Sequence, residues 1–414
     1  MKEFQFRAIA NRLTLALSLV TRMSVSIITL MLVASSVKSE EFGLFSTVFA
    51  ISSLIGLLSN AGFSLALLRD IGGDTGMARA YVWPTLCVKV TLCLVGTAVF
   101  FLYMSSLNTD LESGLLMAAI LFAGLVCGSF GDLIFVALRA LGRFSVEARV
   151  VIAQGIAQLF FVVLVIWSGG GLLQISIAIA FSKGMGTLAV YIFFYRETSD
   201  QTDILHIGSF SYFRRTYKLA IDATIVNALT QMDGLFVASF IGLQPAGLYQ
   251  AATRLAYGAI PLGGVLNGIS IPNIVQATLS GSPDRVRRLV WQTVIEYAGL
   301  GFALGVVIYL FGPLYTKYVL DESYAGIDAL WPILSLFVCL RFLASGLGAV
   351  LVVLHEGNGR TIVLCITLMS MVFLLGTMTP DTPISMACNY MSIGALMQCI
   401  LYFTIVLKEY GAIK

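Results

Sequence analysis

Charge is what this sequence has least of. Lys, Arg, Asp and Glu together make up 11% of its 414 residues, where an ordinary soluble domain carries about a quarter. So few charges cannot coat a soluble surface. Nor can one soluble core absorb a hydrophobic share of 58%, because cores stop growing at roughly 250–300 residues. Histidine is nearly missing: His206 and His355 stand far apart in the chain, and no H-E-x-x-H zinc motif occurs. The G-x-x-x-x-G-K-[ST] phosphate loop is lacking too, which excludes ATP hydrolysis of that type. A net charge of +3 offers little to nucleic acid. The seven cysteines, Cys87, Cys93, Cys127, Cys339, Cys365, Cys388 and Cys399, follow neither metal-ligand spacing nor a disulfide pattern. Their simplest reading is small apolar filler. No cofactor and no metal are expected.

What the sequence has is long apolar runs, and a run of about 20 residues spans the hydrocarbon layer of a bilayer. Lys2, Arg7 and Arg12 precede the first run, which continues to Ala34 and contains Arg22. A cleavable signal has an apolar region of only about 7–15 residues, so this run reads as a retained helix. Twelve spans are expected, near 12–35, 42–68, 80–104, 114–138, 149–168, 171–195, 217–241, 244–272, 289–312, 327–354, 361–378 and 384–407.

The basic residues orient these spans. Loops on the side of the N-terminus hold eighteen Lys and Arg, the opposite loops hold only Lys38 and Lys317, and five more lie within spans, which accounts for all 25. Basic residues favour the cytoplasmic side, so both termini are expected in the cytoplasm. Trp83, Trp167, Trp291 and Trp331 all fall near span ends, where indole prefers the membrane interface.

The longest loop on the cytoplasmic side, 196–216, divides six spans from six. The expectation is therefore an all-α polytopic membrane protein of about twelve transmembrane helices. They would form two six-helix bundles around a central cavity, residues 1–200 and 201–414. A faint repeat supports the division. Glu41-Phe42-Gly43-Leu44-Phe45 opens the second span and Pro245-Ala246-Gly247-Leu248-Tyr249 the eighth, 204 residues later. The same direction in both halves implies a parallel repeat.

Nine ionisable residues lie inside spans: Arg22, Lys89, Lys183, Arg254, Arg341, Asp132, Asp222, Asp233 and Glu296. A charge at the bilayer centre costs about 3 kcal/mol on insertion scales, so these residues face protein or water. Helical spacing aligns Ser18, Arg22, Ser26 and Thr29 in the first span, and Gln250, Thr253, Arg254, Tyr257 and Pro261 in the eighth. Asp222 and Asp233 return to one face of the seventh span, and Ser176, Lys183 and Thr187 align in the sixth. Polar stripes also serve plain helix packing, and Lys89 and Asp132, on helices without a strong stripe, each read as a charge held by structural pairing. Glu296 and Asp222 sit near span ends, where snorkelling accounts for them. Arg22, Arg254, Arg341, Lys183 and Tyr257 are the candidate cavity residues for an anionic substrate, since arginine holds phosphate oxygens with a fixed fork of donors. Asp233 and Asp222 are the candidates for pairing or ion coupling, and Asp233 with Arg254 is the ionisable pair to look for. Every external loop is short, the longest near 314–326, which argues against a membrane polymerase and against enzymes in general.

The stretch EFGLFSTVFAISSLIGLLSNAGFSLALLRDI (41–71), and Asp233 paired with GLYQAATRLA (247–256), resemble bacterial polysaccharide and O-antigen flippases. These belong to the multidrug/oligosaccharidyl-lipid/polysaccharide (MOP) exporter superfamily. The resemblance implies a non-enzymatic carrier of undecaprenyl-pyrophosphate-linked oligosaccharide in the bacterial cytoplasmic (inner) membrane, working by alternating access. It implies membrane lipid around it, a coupling proton or sodium ion, and a polysaccharide polymerase as complex partner. It also implies cavity arginines at Arg22 and Arg254 and an acid at Asp233. The rival within the superfamily is a multidrug or small-cation extruder, whose cavity would be acidic or aromatic.

Overall fold

The computed structural model describes residues 2–60, 62–72, 74–107, 112–199, 208–216, 221–280, 282–354 and 359–412. Among them the chain is helical throughout, with no strand. The helices are α1 (Lys2–Ser36), α2 (Ser39–Leu58), α3 (Phe63–Ile71), α4 (Thr75–Ser106), α5 (Glu112–Ala140), α6 (Phe144–Trp167), α7 (Leu172–Thr198) and α8 (Ser209–Thr216). They continue as α9 (Ile221–Phe240), α10 (Leu243–Ala259), α11 (Pro261–Leu279), α12 (Pro283–Val319), α13 (Trp331–Leu354), α14 (Gly359–Leu375) and α15 (Ile384–Ala412). Only helices satisfy all their backbone groups within one segment, which is what lipid demands. Nine helical stretches among the described residues are long and apolar enough to cross a membrane.

Each of the twelve expected spans meets a helix or a pair of helices. The two that meet pairs are the second and the eighth, which were expected to be continuous. The second breaks between α2 and α3, where Gly62 takes a left-handed φ of 75°. Phe63 N donates to Asn60 O at 2.7 Å across that turn. The eighth breaks at Pro261, whose ring leaves no N–H for the ladder. Both breaks interrupt the spans that open with the repeated glycine motif. α8 lies in the 196–216 loop. Its Tyr212 stacks on Phe63 at 6.0 Å and meets Tyr81 at 5.1 Å.

The chain divides into two compact units, Met1–Val37 with Leu44–Asn227, and Lys38–Gly43 with Ala228–Lys414. In the first unit α5 packs along α7, and α6 lies against both α1 and α7. Its core includes Phe63, Leu67, Leu133, Phe135, Val151 and Phe194. In the second, α13 lies against α12 and α15. The core there includes Ile274, Val290, Leu347, Val350 and Tyr402.

The first turn of α2 belongs to the second unit, and glycine puts it there. A β-carbon on Gly43 would run into the carbonyl oxygen of Leu243, and one on Gly247 into that of Ser39. Positions 39 and 243 are as far apart as 43 and 247, so the contact is reciprocal between equivalent residues of the repeat. Phe42 meets the buried Tyr324 at 6.4 Å, and Ser39 N donates to Ser323 Oγ at 3.2 Å.

Three tryptophans are surface-exposed: Trp83, Trp167 and Trp291. Trp331 is not, being 1% exposed. Its indole N–H donates to Thr316 Oγ1 at 3.1 Å, and its ring covers Gly312. A span end packed against protein buries its indole as a core residue would be buried. All seven cysteines are free thiols.

Candidate functional site

A cavity in the first unit has a volume of about 320 Å³ and is lined from α1, α2, α5, α6 and α7. Arg22 and Lys183, two of the expected residues, both line it, and so does Asp132. Arg22 Nη1 donates to Asp132 Oδ1, and the Arg22 guanidinium lies 4.5 Å from the centre of the Phe135 ring. The Asp132 side chain is 50% exposed, and the space it opens onto is this cavity. Lys183 interacts electrostatically with Asp132. Lys183 reaches the cavity because α5 presents glycine to α7. A β-carbon at Gly128 would sit 3.1 Å from Lys183 Cδ.

Behind Arg22 stands a second acid. Glu147, at the start of α6, is 1% exposed. It accepts two hydrogen bonds from Arg139, from Nε at 2.6 Å and from Nη2. Its Oε1 also lies 3.7 Å from Arg22 Nη2 and receives the Ser18 hydroxyl at 3.5 Å. The polar stripe of α1 therefore faces α6, and Gln158 Nε2 donates to Thr29 Oγ1 at 3.0 Å further along it. Sequence reading passed over this α6 face, although Glu147, Gln154 and Gln158 recur at helical spacing. The signal was hidden because Glu147 falls outside the apolar run and counts as a loop residue.

Lys89 and Asp132, each read as a structurally paired charge, both have partners. Asp132 takes Arg22. Lys89 is fully buried, donates to Asn60 Oδ1 and lies 5.3 Å from the Phe130 ring centre. Asn60 sits in the turn that follows α2. A cation there suits the negative end of the helix dipole and supports the break in the second span.

In the second unit, Asp233 of α9 is 2% exposed. It was expected to pair with Arg254, and the two do interact electrostatically. Its hydrogen bonds come from elsewhere. The hydroxyls of Tyr249 and Tyr257 both donate to Asp233 Oδ2 at 2.6 Å. The tyrosines are eight residues apart on α10, so they share a face. Tyr257 was expected to be a substrate contact; it is also a ligand of the acid. Arg341 Nη1 donates to Gln398 Oε1 at 2.7 Å. Arg341, Tyr257, Thr230 and Thr367 line a small cavity of about 30 Å³, enough for one water. The side chain of Asp222 lies outside the described residues. Glu296 accepts from Gln292 Nε2 at 2.7 Å on an exposed face. The expected site residues thus fall into two sets, Arg22 and Lys183 in the first unit and Asp233, Arg254, Tyr257 and Arg341 in the second.

Solved structures share this fold. An inward-facing multidrug resistance MATE family transporter of the MOP superfamily aligns with a TM-score of 0.75 at 14% identity, covering 96% of this chain and 98% of the other. The eukaryotic MATE transporter AtDTX14 aligns at 0.59 and 17% identity, covering 99% and 98%. A MOP superfamily transporter from Pyrococcus furiosus, whose reversed binding-pocket polarity is taken to suggest a different function, aligns at 0.63 and 14% identity, covering 98% and 96%. Comparison with curated proteins gives no match. The fold is therefore one shared with these MOP-superfamily and MATE transporters. The sequence pattern of the polysaccharide biosynthesis protein family matches residues 8–277, and the chain belongs to that family.

Proposed function

We propose that this protein is a flippase for an undecaprenyl-pyrophosphate-linked oligosaccharide, the repeat unit of O-antigen or another surface polysaccharide. It moves that lipid-linked sugar from the inner to the outer leaflet of the bacterial cytoplasmic membrane by alternating access. The observation that carries this reading is the cavity of the first unit, where the lining cations Arg22 and Lys183 outnumber the lining acid Asp132. An extruder of cationic drugs needs the opposite sign. The membrane-embedded position of these charges adds weight, since ionisable groups at that depth are expensive and mark substrate pathways. Membership of the polysaccharide biosynthesis family supports the sugar. The MATE likeness, at 14–17% identity, speaks for the fold and not for drugs as cargo.

In this reading the protein is a carrier and not an enzyme. Residues 1–200 and 201–414 are the two bundles that alternate around the substrate. Arg254, Arg341 and Tyr257 meet the anionic head from the second bundle. Asp233 and Asp222 belong to coupling by a proton or sodium gradient. A polysaccharide polymerase receives the product, and both termini lie in the cytoplasm, as the basic loops argue. Arg22→Ala and Arg254→Ala should each insert into the membrane and lower surface polysaccharide at least tenfold. Normal polymer from both variants removes the reading. Reconstituted flipping that ignores both proton and sodium gradients removes the coupling.

A further inference from the structure

We propose that the cavity of the first unit is a subsite for one sugar ring bearing a single carboxylate, and that the pyrophosphate of the carrier lipid binds elsewhere. This rests on the flippase reading and narrows it. Three observations point the same way.

The first is charge. The ionisable side chains that line the cavity are Arg22, Lys183 and Asp132, which sum to one positive charge. Behind them Glu147 and Arg139 cancel in a two-bond pair, and Lys89, turned to Asn60 and the Phe130 face, does not line the cavity. A carboxylate brings one negative charge and neutralises the lining. A pyrophosphate diester brings two and would meet the half-open Asp132 carboxylate at close quarters, where like charges repel strongly in a poorly solvated site.

The second is hydrogen-bonding type. A phosphate oxygen only accepts, so a phosphate site is built of donors. Here Asp132 only accepts, and Asn60, Gln154 and Gln158 each bring an acceptor oxygen beside a donor nitrogen. Ser52 and Ser53 donate their hydroxyls to the carbonyls of Val48 and Phe49 and so face the cavity as acceptors. Sugar hydroxyls donate and accept at each position, and this mixture answers them. The third is the apolar wall. Phe49 lines the same space with a partly accessible ring, and an aromatic ring suits the C–H face of a pyranose. The volume of about 320 Å³ is at the small end of ligand pockets. It suits one or two sugar rings and has no room for a polyprenyl tail. In this arrangement Lys183 holds the carboxylate, while Asp132, fixed by Arg22, accepts from neighbouring hydroxyls.

The test uses the full-length protein in detergent and three probes, D-glucuronate, D-glucose and inorganic pyrophosphate, followed by ligand-observed magnetisation transfer and by competition. Glucuronate should bind at least tenfold more tightly than glucose, and pyrophosphate should not displace it. Lys183→Met should remove most of the preference for glucuronate over glucose, a loss of about tenfold for one charge-assisted bond. Asp132→Asn should let pyrophosphate compete, because the lining charge rises to two. The proposal fails if pyrophosphate displaces glucuronate from the unaltered protein, if glucose binds equally well, or if no sugar binds. These outcomes need no variant, so misfolding cannot mask them. A protein that supports surface polymer but does not bind glucuronate overturns the subsite alone. One that binds glucuronate but does not restore polymer overturns the flippase reading.

Discussion

A methyl group at Gly43 or Gly247 should push apart the reciprocal crossing of α2 and α10, and the two substitutions should not add. Each β-carbon would overlap a backbone carbonyl oxygen, that of Leu243 or that of Ser39. Backbone cannot rotate away as a side-chain tip can, so the helices must separate. Overpacking of this kind costs about 1–3 kcal/mol. Once one alanine has spread the crossing, the other enters space already opened. The double variant should therefore cost little more than either single, with a coupling energy of about 1–3 kcal/mol that opposes the sum. Gly299 is the control, since nothing lies within 4 Å of a β-carbon there. Gly299→Ala should be neutral or stabilising by up to ~1 kcal/mol. Unfolding in mixed micelles of mild detergent and SDS, followed by tryptophan fluorescence, measures all four variants. Single variants within about 0.5 kcal/mol of the parent would refute the close approach. A strictly additive double would refute its reciprocity.

Two further outcomes follow from the buried charges. Glu147→Gln should destabilise by about 3 kcal/mol in the same assay, the low end for a broken buried pair, because Arg139 keeps 21% of its side chain exposed. Arg139→Gln combined with it should recover part of that loss, and a double variant as unstable as the sum would contradict the pairing. Tyr257→Phe should cost about 1–3 kcal/mol by removing one of the two hydroxyls that Asp233 accepts from. Asp233→Asn should make that substitution cheaper, and equal costs in both backgrounds would show that the hydroxyl does not serve the carboxylate.

The membrane class, the expected spans and the division near the middle could be read along the chain. Lipid forces each segment to satisfy its own backbone groups, so the pattern is local. The repeated glycine motif was legible for the same reason, as a matter of spacing. That Gly43 and Gly247 touch was not. Nor were the breaks at Gly62 and Pro261 anticipated, because apolar residues run through both and hydropathy does not register a turn.

The charged site divides along the same line. Composition and spacing picked out Arg22 and Lys183, since a cation within an apolar run stands out wherever it points. Their partners needed the folded molecule. Asp132 comes to Arg22 from 110 residues away, and Glu147 meets Ser18 across 129. Asp233 turns out to hold two tyrosine hydroxyls beside the arginine that charge alone assigned to it. Insertion energy depends on each segment's own residues, and so it is written in linear order. Pairing energy falls off within a few ångströms, and which groups come that close is settled by how the helices pack.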